Sequence, residues 1–222
     1  MNDNIPFELE SERLRIRPFR ADDLTRIHDI LNRAFGDDTA LESRRTWLAW
    51  SIDNYRELAR LYQPPYGDYA LELKATGELI GSLGIVQCIG PFDVLPAFRD
   101  QLSTEPTGLA TTEMGLFWAV DPAHQRQGYA AEGAHRLIQF AFEQLHLKRI
   151  IATTEFDNEA SMAVMRKLGM TIERNPYTEP FWFQVVGVLA NPVQPPVTSF
   201  VLRTTDTENE SHTMNSTIGE NA

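Results

Sequence analysis

The sequence lacks any long hydrophobic run, because no stretch approaches the roughly 20 apolar residues that a membrane-spanning helix requires. Its polar start, MNDNIPFELE, contains neither the basic nor the apolar segment of a signal peptide. The single cysteine, Cys88, excludes an internal disulfide, and no Cys/His spacing matches a zinc site. These absences predict a cytoplasmic protein with no membrane segment and no bound metal.

Positive charge is also scarce. The chain carries 20 Lys and Arg against 31 Asp and Glu, which gives a formal net charge of −11. Phosphate contacts dominate nucleic-acid affinity and require a basic face, so the sequence predicts no nucleic-acid partner. An acidic surface suits a cationic amine substrate, although acidic residues that only aid solubility are the simpler explanation.

The length and composition predict one globular domain with a tail. A chain of 222 residues with 42% hydrophobic residues can bury a sizeable core. We expect the domain to span residues 8–192 and the tail to span residues 193–222. From Thr204 onward nearly every residue is polar or small, so the tail is predicted to be disordered.

Two common phosphate-binding motifs, G-x-x-x-x-G-K-[ST] and G-x-G-x-x-G, are missing, so nucleotide hydrolysis and dinucleotide redox chemistry lose support. The informative stretch is Thr112–Gly133, TEMGLFWAVDPAHQRQGYAAEG. Within it, Met114–Val120 suits a buried strand that Asp121-Pro122 ends. Apolar residues then recur at the spacing of one helix face, from Ala130 to about Leu147.

The loop from Gln125 to Ala131 therefore lies where a strand passes into a helix. The first helical turn presents backbone N–H groups without intrahelical partners, together with the positive end of the helix dipole. Gly128 allows close backbone approach to a phosphate, and Arg126 adds a positive charge. This pattern predicts a pyrophosphate cradle, although a single Q-x-x-G-x-A motif also fits a plain tight turn before a helix.

The remaining pattern indicates helices around a mixed sheet. Helices are predicted from Asp22 or Asp23 to Ala34, where Gly36 ends the first, and from Ala40 to Tyr62. Further segments are strands at 13–17, 68–74, 78–88, 149–154 and 185–189 and a helix at 159–168. One parallel pair is expected, between the strands at 114–120 and 149–154.

Three of these segments together resemble the GCN5-related N-acetyltransferase (GNAT) superfamily. They are the loop Q-x-x-G-Y-A-A-E, the strand R-I-I-A-T-T, and the segment N-E-A-S … K-L-G-M. The most similar branch acetylates the N-terminal alanine or serine of ribosomal proteins, and its opening strand resembles Ser11–Pro18. The resemblance implies an α+β fold of three α-β-α layers, with a largely antiparallel sheet of about six to seven strands.

The resemblance also implies that the protein is an N-acetyltransferase that uses acetyl-CoA. Its acceptor would be a primary amine, either a protein N-terminus or a small molecule. The alternative is a non-catalytic module that binds acyl-CoA. The implied cofactor-binding residues are Leu116, Trp118 and Val120 for the pantetheine, Asn158 for its amide, and Gln125, Arg126, Gln127, Gly128, Tyr129, Ala130 and Ala131 for the pyrophosphate. Asn158 has an alternative role as the N-cap of the helix at 159–168.

The catalytic acid and base are harder to assign. Many superfamily members have a tyrosine acid where this chain has Met165, which cannot donate a proton. Ser161 takes that role by resemblance to the ribosomal-protein branch, with helix packing as its alternative. Glu113 is the first candidate base and Glu179 the second, but a carboxylate serves as a base near neutral pH only if burial raises its pKa. A water relay is the alternative, and we expect His124 to be exposed.

The segment from Gly90 to Ala110 is longer than a tight turn and contains three prolines. We expect it to be an insertion near the acceptor mouth. Exposed aromatic residues at 92–98 and 181–183 would then form either an acceptor pocket or the face of a homodimer, and the sequence leaves both open.

Overall fold

The computed structural model describes residues 7–99 and 105–192, so the predicted tail lies outside the described residues. The described strands are β1 (Leu9–Glu10), β2 (Leu14–Arg17), β3 (Gly67–Leu73), β4 (Leu79–Gly90), β5 (Thr111–Val120), β6 (Arg149–Thr154), β7 (Thr171–Arg174) and β8 (Val185–Ala190). The helices are α1 (Leu24–Phe35), α2 (Leu41–Arg60), α3 (Tyr129–Glu143) and α4 (Glu159–Lys167). None of these helices is long and apolar enough to cross a membrane.

The strands form one sheet in the order β1-β2-β3-β4-β5-β6-β8-β7. All neighbours are antiparallel except β5 and β6, which run parallel with Gly115 opposite Ile151. Helix α3 makes the crossover between them, as a parallel connection requires. The predicted fold class and the parallel pair are therefore confirmed. The sheet has eight strands because β1 and β7 also pair, and they are too short to give an alternating pattern in the sequence.

Helices cover both faces of the sheet. In α3, Gly133 lies directly on the sheet, because a Cβ atom built there would lie 2.6 Å from a methyl carbon of Leu83 and 3.2 Å from one of Leu71. Helix α1 covers the opposite face and buries one apolar stripe there, Leu24, Ile27, Ile30 and Leu31. Helix α2 packs near the start of β3, where Tyr55 stacks on Tyr69 with ring centroids 5.0 Å apart. The result is the expected three-layer arrangement.

The helix boundaries show where local signals are sufficient. Gly36 ends α1 with φ +66°, as predicted. The carboxylate of Asp23 does not cap α1; it accepts hydrogen bonds from Arg17 Nη1 at 2.8 Å and from the Arg20 backbone N–H at 2.7 Å. Helix α3 ends at Glu143, earlier than expected, and His146 then takes a left-handed φ of +51° that a helix cannot continue through.

The helical spacing predicts one buried stripe on the second helix, made of Leu41, Leu48, Ile52, Tyr55, Ala59 and Tyr62. Three of these residues, Leu41, Ala59 and Tyr62, are exposed instead. Leu41 lies at the first turn of α2 and Tyr62 lies beyond its last residue, and their exposed fractions are 42% and 78%. A helical stripe loses contact with the core where the helix extends past the edge of the sheet. The central members of the stripe, Leu48 and Tyr55, are buried as predicted.

The long connection between β4 and β5 builds a second small core. Phe92 and Leu95 are buried there with Ile151, Val186 and Phe183, and the Phe92 and Phe183 rings lie 5.1 Å apart. The expectation that the aromatic residues of 92–98 and 181–183 are exposed is thus wrong for Phe92 and Phe183. Their rings cover the sheet beside β6, whereas Phe181 is 56% exposed.

Candidate active site

A cleft of about 690 Å³ opens at the C-terminal end of β5. Its walls come from β5, the loop that follows, the first turn of α3, one side of α4 along its length and the end of α1. Among the residues predicted for the site, it is lined by Trp118, Val120, Gln125, Arg126, Gly128, Tyr129, Ala130, Ala131, Asn158 and Ser161. Leu116, Gln127 and Glu113 do not line it.

The cleft runs beside the second half of β5. Strand β5 pairs with β4 along its whole length, from Thr111 opposite Gly90 to Val120 opposite Gly81. On its other side, β5 has one aligned position with β6, Gly115 opposite Ile151. Trp118, Ala119 and Val120 at the end of β5 line the cleft, and no residue of β6 does. A ligand that enters the cleft on this side can bond to the β5 backbone as a strand would.

The loop after β5 has a backbone suited to an anion. Pro122–His124 forms one 3₁₀ turn, and then Arg126 and Gly128 take left-handed φ values of +62° and +86°. Gly128 is the N-cap of α3, whose first-turn N–H groups have no intrahelical acceptors. Successive N–H groups in such conformations form a concave anion site at a helix N-terminus.

A basic side chain from the other end of the domain braces this loop. Arg13, which precedes β2, donates from Nη1 and Nη2 to the Gln127 carbonyl, both at 3.2 Å. Its guanidinium pairs with Glu132 of α3 at 2.6 Å and lies over the Tyr129 ring at 4.5 Å. In a trans peptide, N–H and C=O point in opposite directions. A Gln127 carbonyl held toward Arg13 therefore turns the Gly128 N–H away from it.

The start of the loop is also anchored. Gln125 donates from Nε2 to the Val120 carbonyl at 3.0 Å. Asp121 is buried, accepts from the Ala123 N–H at 3.0 Å, and pairs with Arg26 of α1 at 2.6 Å. Burial alone would raise the pKa of Asp121, but the Ala123 N–H and the Arg26 guanidinium outweigh it and lower the pKa. The carboxylate therefore remains charged and ties α1 to the loop.

Helix α4 supplies the opposite wall. Asn158 is its N-cap, and its Oδ1 accepts from the Ser161 backbone N–H at 3.0 Å. This bond uses only the carbonyl oxygen of the amide, so the two Nδ2 hydrogens remain available to the cleft. The Ser161 hydroxyl lies one turn into the helix on the same wall. Both roles considered for Asn158, cap and ligand contact, are compatible with this geometry.

Glu113 has a different environment. It is 8% exposed, lies on the face of β5 that the 92–99 segment covers, and forms a bidentate pair with Arg149 of β6. One of these two bonds, from Arg149 Nε to Glu113 Oε2, measures 2.8 Å. The Arg149 guanidinium also lies over the Phe98 ring, 4.5 Å from its centroid. A base role for Glu113 stays a prediction, and it would require Arg149 to release the carboxylate.

Some lining residues were missed or misjudged from the sequence. His124 lines the cleft and is half-buried, so its expected exposure is wrong; its Nε2 lies 3.6 Å from a carboxylate oxygen of Glu78. Lys167, in the K-L-G motif, and Phe35, at the end of α1, also line the cleft. Helical spacing predicts which residues share one side of α4 with Lys167. Which side of α4 lines the cleft follows only from the packing of α4 against α3.

Within residues 7–99 and 105–192, no group of three or more His, Cys, Asp or Glu side chains is arranged to hold a metal ion.

Comparisons with known proteins agree with this geometry. A family model described as an acetyltransferase (GNAT) domain matches residues 13–171. The uncharacterized N-acetyltransferase YoaA of Bacillus subtilis (strain 168) is 29% identical over 171 residues, which is 74% of this chain and 83% of YoaA. YnaD, an uncharacterized N-acetyltransferase of the same strain, is 41% identical over 66 residues, 30% of this chain and only 38% of YnaD.

A solved structure of RimL, a ribosomal L7/L12 alpha-N-protein acetyltransferase in complex with coenzyme A, matches with a TM-score of 0.55. The match covers 83% of this chain and 98% of RimL at 18% identity, so it is a likeness of fold.

Proposed function

This chain belongs to the acetyltransferase (GNAT) family, and from that premise we propose that it transfers an acetyl group from acetyl-CoA to a primary amine in a ternary complex. One observation carries the proposal: the left-handed loop at Arg126–Gly128 and the C-terminal end of β5 line one cleft. A protein N-terminus and a small-molecule amine both belong to the acceptor class. The fold likeness to RimL in complex with coenzyme A supports the choice of cofactor.

The residues of the cleft fit the chemistry of acetyl-CoA. The loop N–H groups and the α3 N-terminus would hold the pyrophosphate, and Arg126 and Lys167 add positive charge on either side of it. The open side of β5 would bond the amides of the pantetheine arm, and the Asn158 Nδ2 group would donate to one of them. Acetyl-CoA, when bound, supplies an activated thioester.

The chain's own residues would then direct the transfer. The acceptor nitrogen forms the new C–N bond as the C–S bond breaks, so the nitrogen loses a proton and the thiolate gains one. A backbone N–H of β5 within Leu116–Ala119 would polarise the carbonyl. The Ser161 hydroxyl, on the wall of the cleft, would donate to the thiolate. The nitrogen's proton would leave through Glu113, as first predicted from the sequence, or through a water relay.

One observation keeps the non-catalytic alternative open. Met165 occupies the position of the usual tyrosine acid and is fully buried, with its Sδ 3.0 Å from where a Cβ of Gly187 would lie. This position therefore faces the core and cannot supply a proton. Turnover of acetyl-CoA with a panel of primary amines separates the enzyme from a binding module.

The direct test is a calorimetric titration of the protein with acetyl-CoA, repeated on Gly128→Glu. Wild type should bind with micromolar affinity, about −8 kcal/mol, and the variant should lose binding because a carboxylate then occupies the cradle. The matched control is Gly77→Glu. Gly77 also has a left-handed φ of +72° with open space around it, but it lies in the β3–β4 turn. Equal affinities of the three proteins would refute the cradle.

A further inference from the structure

In the described part of the chain, Asp68, near the start of β3, has a carboxylate without partners. Its Oδ1 atom is buried and accepts no hydrogen bond, although the residue as a whole is half-buried. Within residues 7–99 and 105–192, no Lys, Arg or His side chain forms an ion pair with it. Among the same residues, one other carboxylate has a buried, unbonded oxygen, that of Asp93, and its second oxygen accepts from the Thr107 N–H at 2.6 Å. A carboxylate oxygen that is buried without such a contact is unusual and calls for a physical reason.

The strand register shows which face Asp68 occupies. Its neighbour Tyr69 packs against Phe7, with ring centroids 4.3 Å apart, and Phe7 in turn packs against Phe140 of α3. Tyr69 therefore points toward α3. Tyr69 also stacks on Tyr55 of α2, with ring centroids 5.0 Å apart, so α2 is not confined to the opposite face. Successive strand residues point to opposite faces, so Asp68 points to the face that α1 covers.

This face leads to the cleft. Asp68 is aligned with Gly84 of β4, and Gly84 is aligned with Phe117 of β5. Phe117 packs against Phe35, which lines the cleft, with ring centroids 6.1 Å apart. With a strand spacing of about 4.8 Å, the Cα atoms of Asp68 and Phe117 are about 10 Å apart. Asp68 is thus two strands away from the part of β5 where the thioester is expected.

The charges around Asp68 do not neutralise it. Burial raises its pKa to about 6, so the carboxylate is still mostly ionised above pH 7. The titratable side chains nearest to it are Tyr55 and Tyr69, whose pKa values are raised by burial and further by the Asp68 charge. Both tyrosines remain neutral in that range. The site therefore presents a negative charge that no described cation balances.

The side from which an acceptor must enter matches this placement. If the cofactor occupies the cleft between the loop, α3 and α4, the α1 side of the sheet is left for the amine, because Phe35 at the end of α1 lines the cleft beside Phe117. A cation on that side would meet Asp68. An ammonium group suits the site because it is a compact charge with three donors, and a carboxylate oxygen can accept one of them.

We propose that Asp68 binds a second ammonium group of the acceptor, separate from the amine that is acetylated, and so selects diamines or polyamines. Asp68 and Phe117 are about 10 Å apart, so one amino group cannot bind Asp68 and attack the thioester at β5 at the same time. An acceptor that uses both sites therefore needs two amino groups. This inference rests on the proposed acetyl transfer. Asp68 is a specificity-determining residue under this assignment and takes no part in the proton transfers.

The test compares acceptors that differ by one charge. Initial rates of CoA release at pH 8 are measured with 1,5-diaminopentane and 1-aminopentane, and with 1,7-diaminoheptane and 1-aminoheptane. Wild type should prefer at least one diamine over its monoamine by about tenfold in kcat/KM, the size expected of a charge-assisted hydrogen bond. Asp68→Asn should reduce that ratio to about one, with an unchanged Kd for acetyl-CoA.

A second measurement separates recognition from structural support. Asp68→Asn removes a buried charge without changing the shape of the side chain. Because the pKa of Asp68 is raised on folding, ionisation above pH 6 destabilises the folded state, and this penalty vanishes below pH 4. Asp68→Asn should therefore raise Tm at pH 8 and leave it unchanged at pH 4. Asp53→Asn, which changes an exposed α2 carboxylate paired with Arg56, should alter neither Tm nor selectivity.

The outcomes are distinct. If wild type releases no CoA above the hydrolysis rate with any amine, the proposed function fails and the role of Asp68 fails with it. If wild type acetylates amines but shows no preference for a diamine, or if Asp68→Asn keeps the preference, acetyl transfer stands and the role of Asp68 is overturned. A fall in Tm at pH 8 would also overturn it, since it would show that the carboxylate supports the fold.

Discussion

Replacing Arg13 with methionine tests whether the pyrophosphate loop depends on its brace. Arg13 lies 114 residues before Gln127 in the chain, and its guanidinium holds the carbonyl of that loop residue. Methionine keeps much of the side-chain length but cannot donate to a carbonyl. The Gln127–Gly128 peptide is then free to rotate, and the Gly128 N–H no longer has a fixed direction. We expect a loss of affinity for any ligand that carries the pyrophosphate.

The contacts set the size of the effect. A hydrogen bond from a charged donor contributes about 1.5–3 kcal/mol. The Arg13 side chain is 44% exposed and its two bonds to the carbonyl are long, at 3.2 Å, so the lower part of that range applies. We therefore expect a loss of about 1–1.5 kcal/mol, or roughly five- to tenfold in Kd. Glu132 still accepts from the Ser11 hydroxyl at 2.7 Å, so Tm should change little.

The assay is calorimetry with CoA and with 3′-dephospho-CoA, both of which carry the pyrophosphate. If Arg13 braces the loop, its replacement should weaken the affinity for the two ligands by the same factor. The Kd of Arg13→Lys should lie between those of wild type and Arg13→Met, because lysine keeps the positive charge but lacks the planar guanidinium group with its several donors. Arg15→Met is the control, since Arg15 points to the opposite face of β2 and pairs with Glu72. A loss seen with CoA but not with dephospho-CoA would refute the brace, because Arg13 would then contact the 3′-phosphate directly.

Two further variants test the other assignments. Glu113→Gln leaves Arg149 facing a neutral amide, so urea titration should show a loss of about 1–3 kcal/mol in the free energy of unfolding; an unaltered pH profile of kcat/KM would contradict a base role for Glu113. Phe92→Ala should cost about 3–5 kcal/mol of stability, because the ring is fully buried in the second small core. Its Kd for acetyl-CoA should stay within about twofold of wild type, and a larger change would show that the 92–99 segment shapes the cleft.

The parts of the fold that follow from local sequence were predictable. Gly36 ends α1 because a left-handed φ follows the helix, and the glycine loop before α3 is recognisable from neighbouring residues alone. Glycines inside a strand, such as Gly81 and Gly84 of β4, indicate close backbone approach, and a Cβ at these positions would lie 2.3 and 2.0 Å from carbonyl oxygens of adjacent strands. In each case the signal lies within a few residues of the structure that it predicts.

The parts that depend on distant contacts were not predictable. Neither the brace of Arg13 on the loop nor the burial of Phe92 against Phe183 leaves a local pattern, because each joins residues far apart in the chain. The left-handed conformation of Arg126 is also hidden, since arginine has no preference for it. For this reason the sequence indicates the loop and the cofactor class, while the supports that shape the loop emerge only from the fold.

The same limit explains why the sequence led to Glu113 and not to Asp68. Both are carboxylates on the same face of the sheet; Glu113 is buried, and Asp68 is half-buried with one fully buried oxygen. Glu113 attracts attention because it begins the central strand, yet Arg149 binds both of its oxygens and holds it as one half of a neutral pair. Asp68 is the second residue of β3, in the stretch G-D-Y, and no cation pairs with it within the described residues. A paired charge contributes to the fold, whereas an unpaired one remains available to a cationic ligand, so Asp68 is the carboxylate we expect acceptor selectivity to depend on.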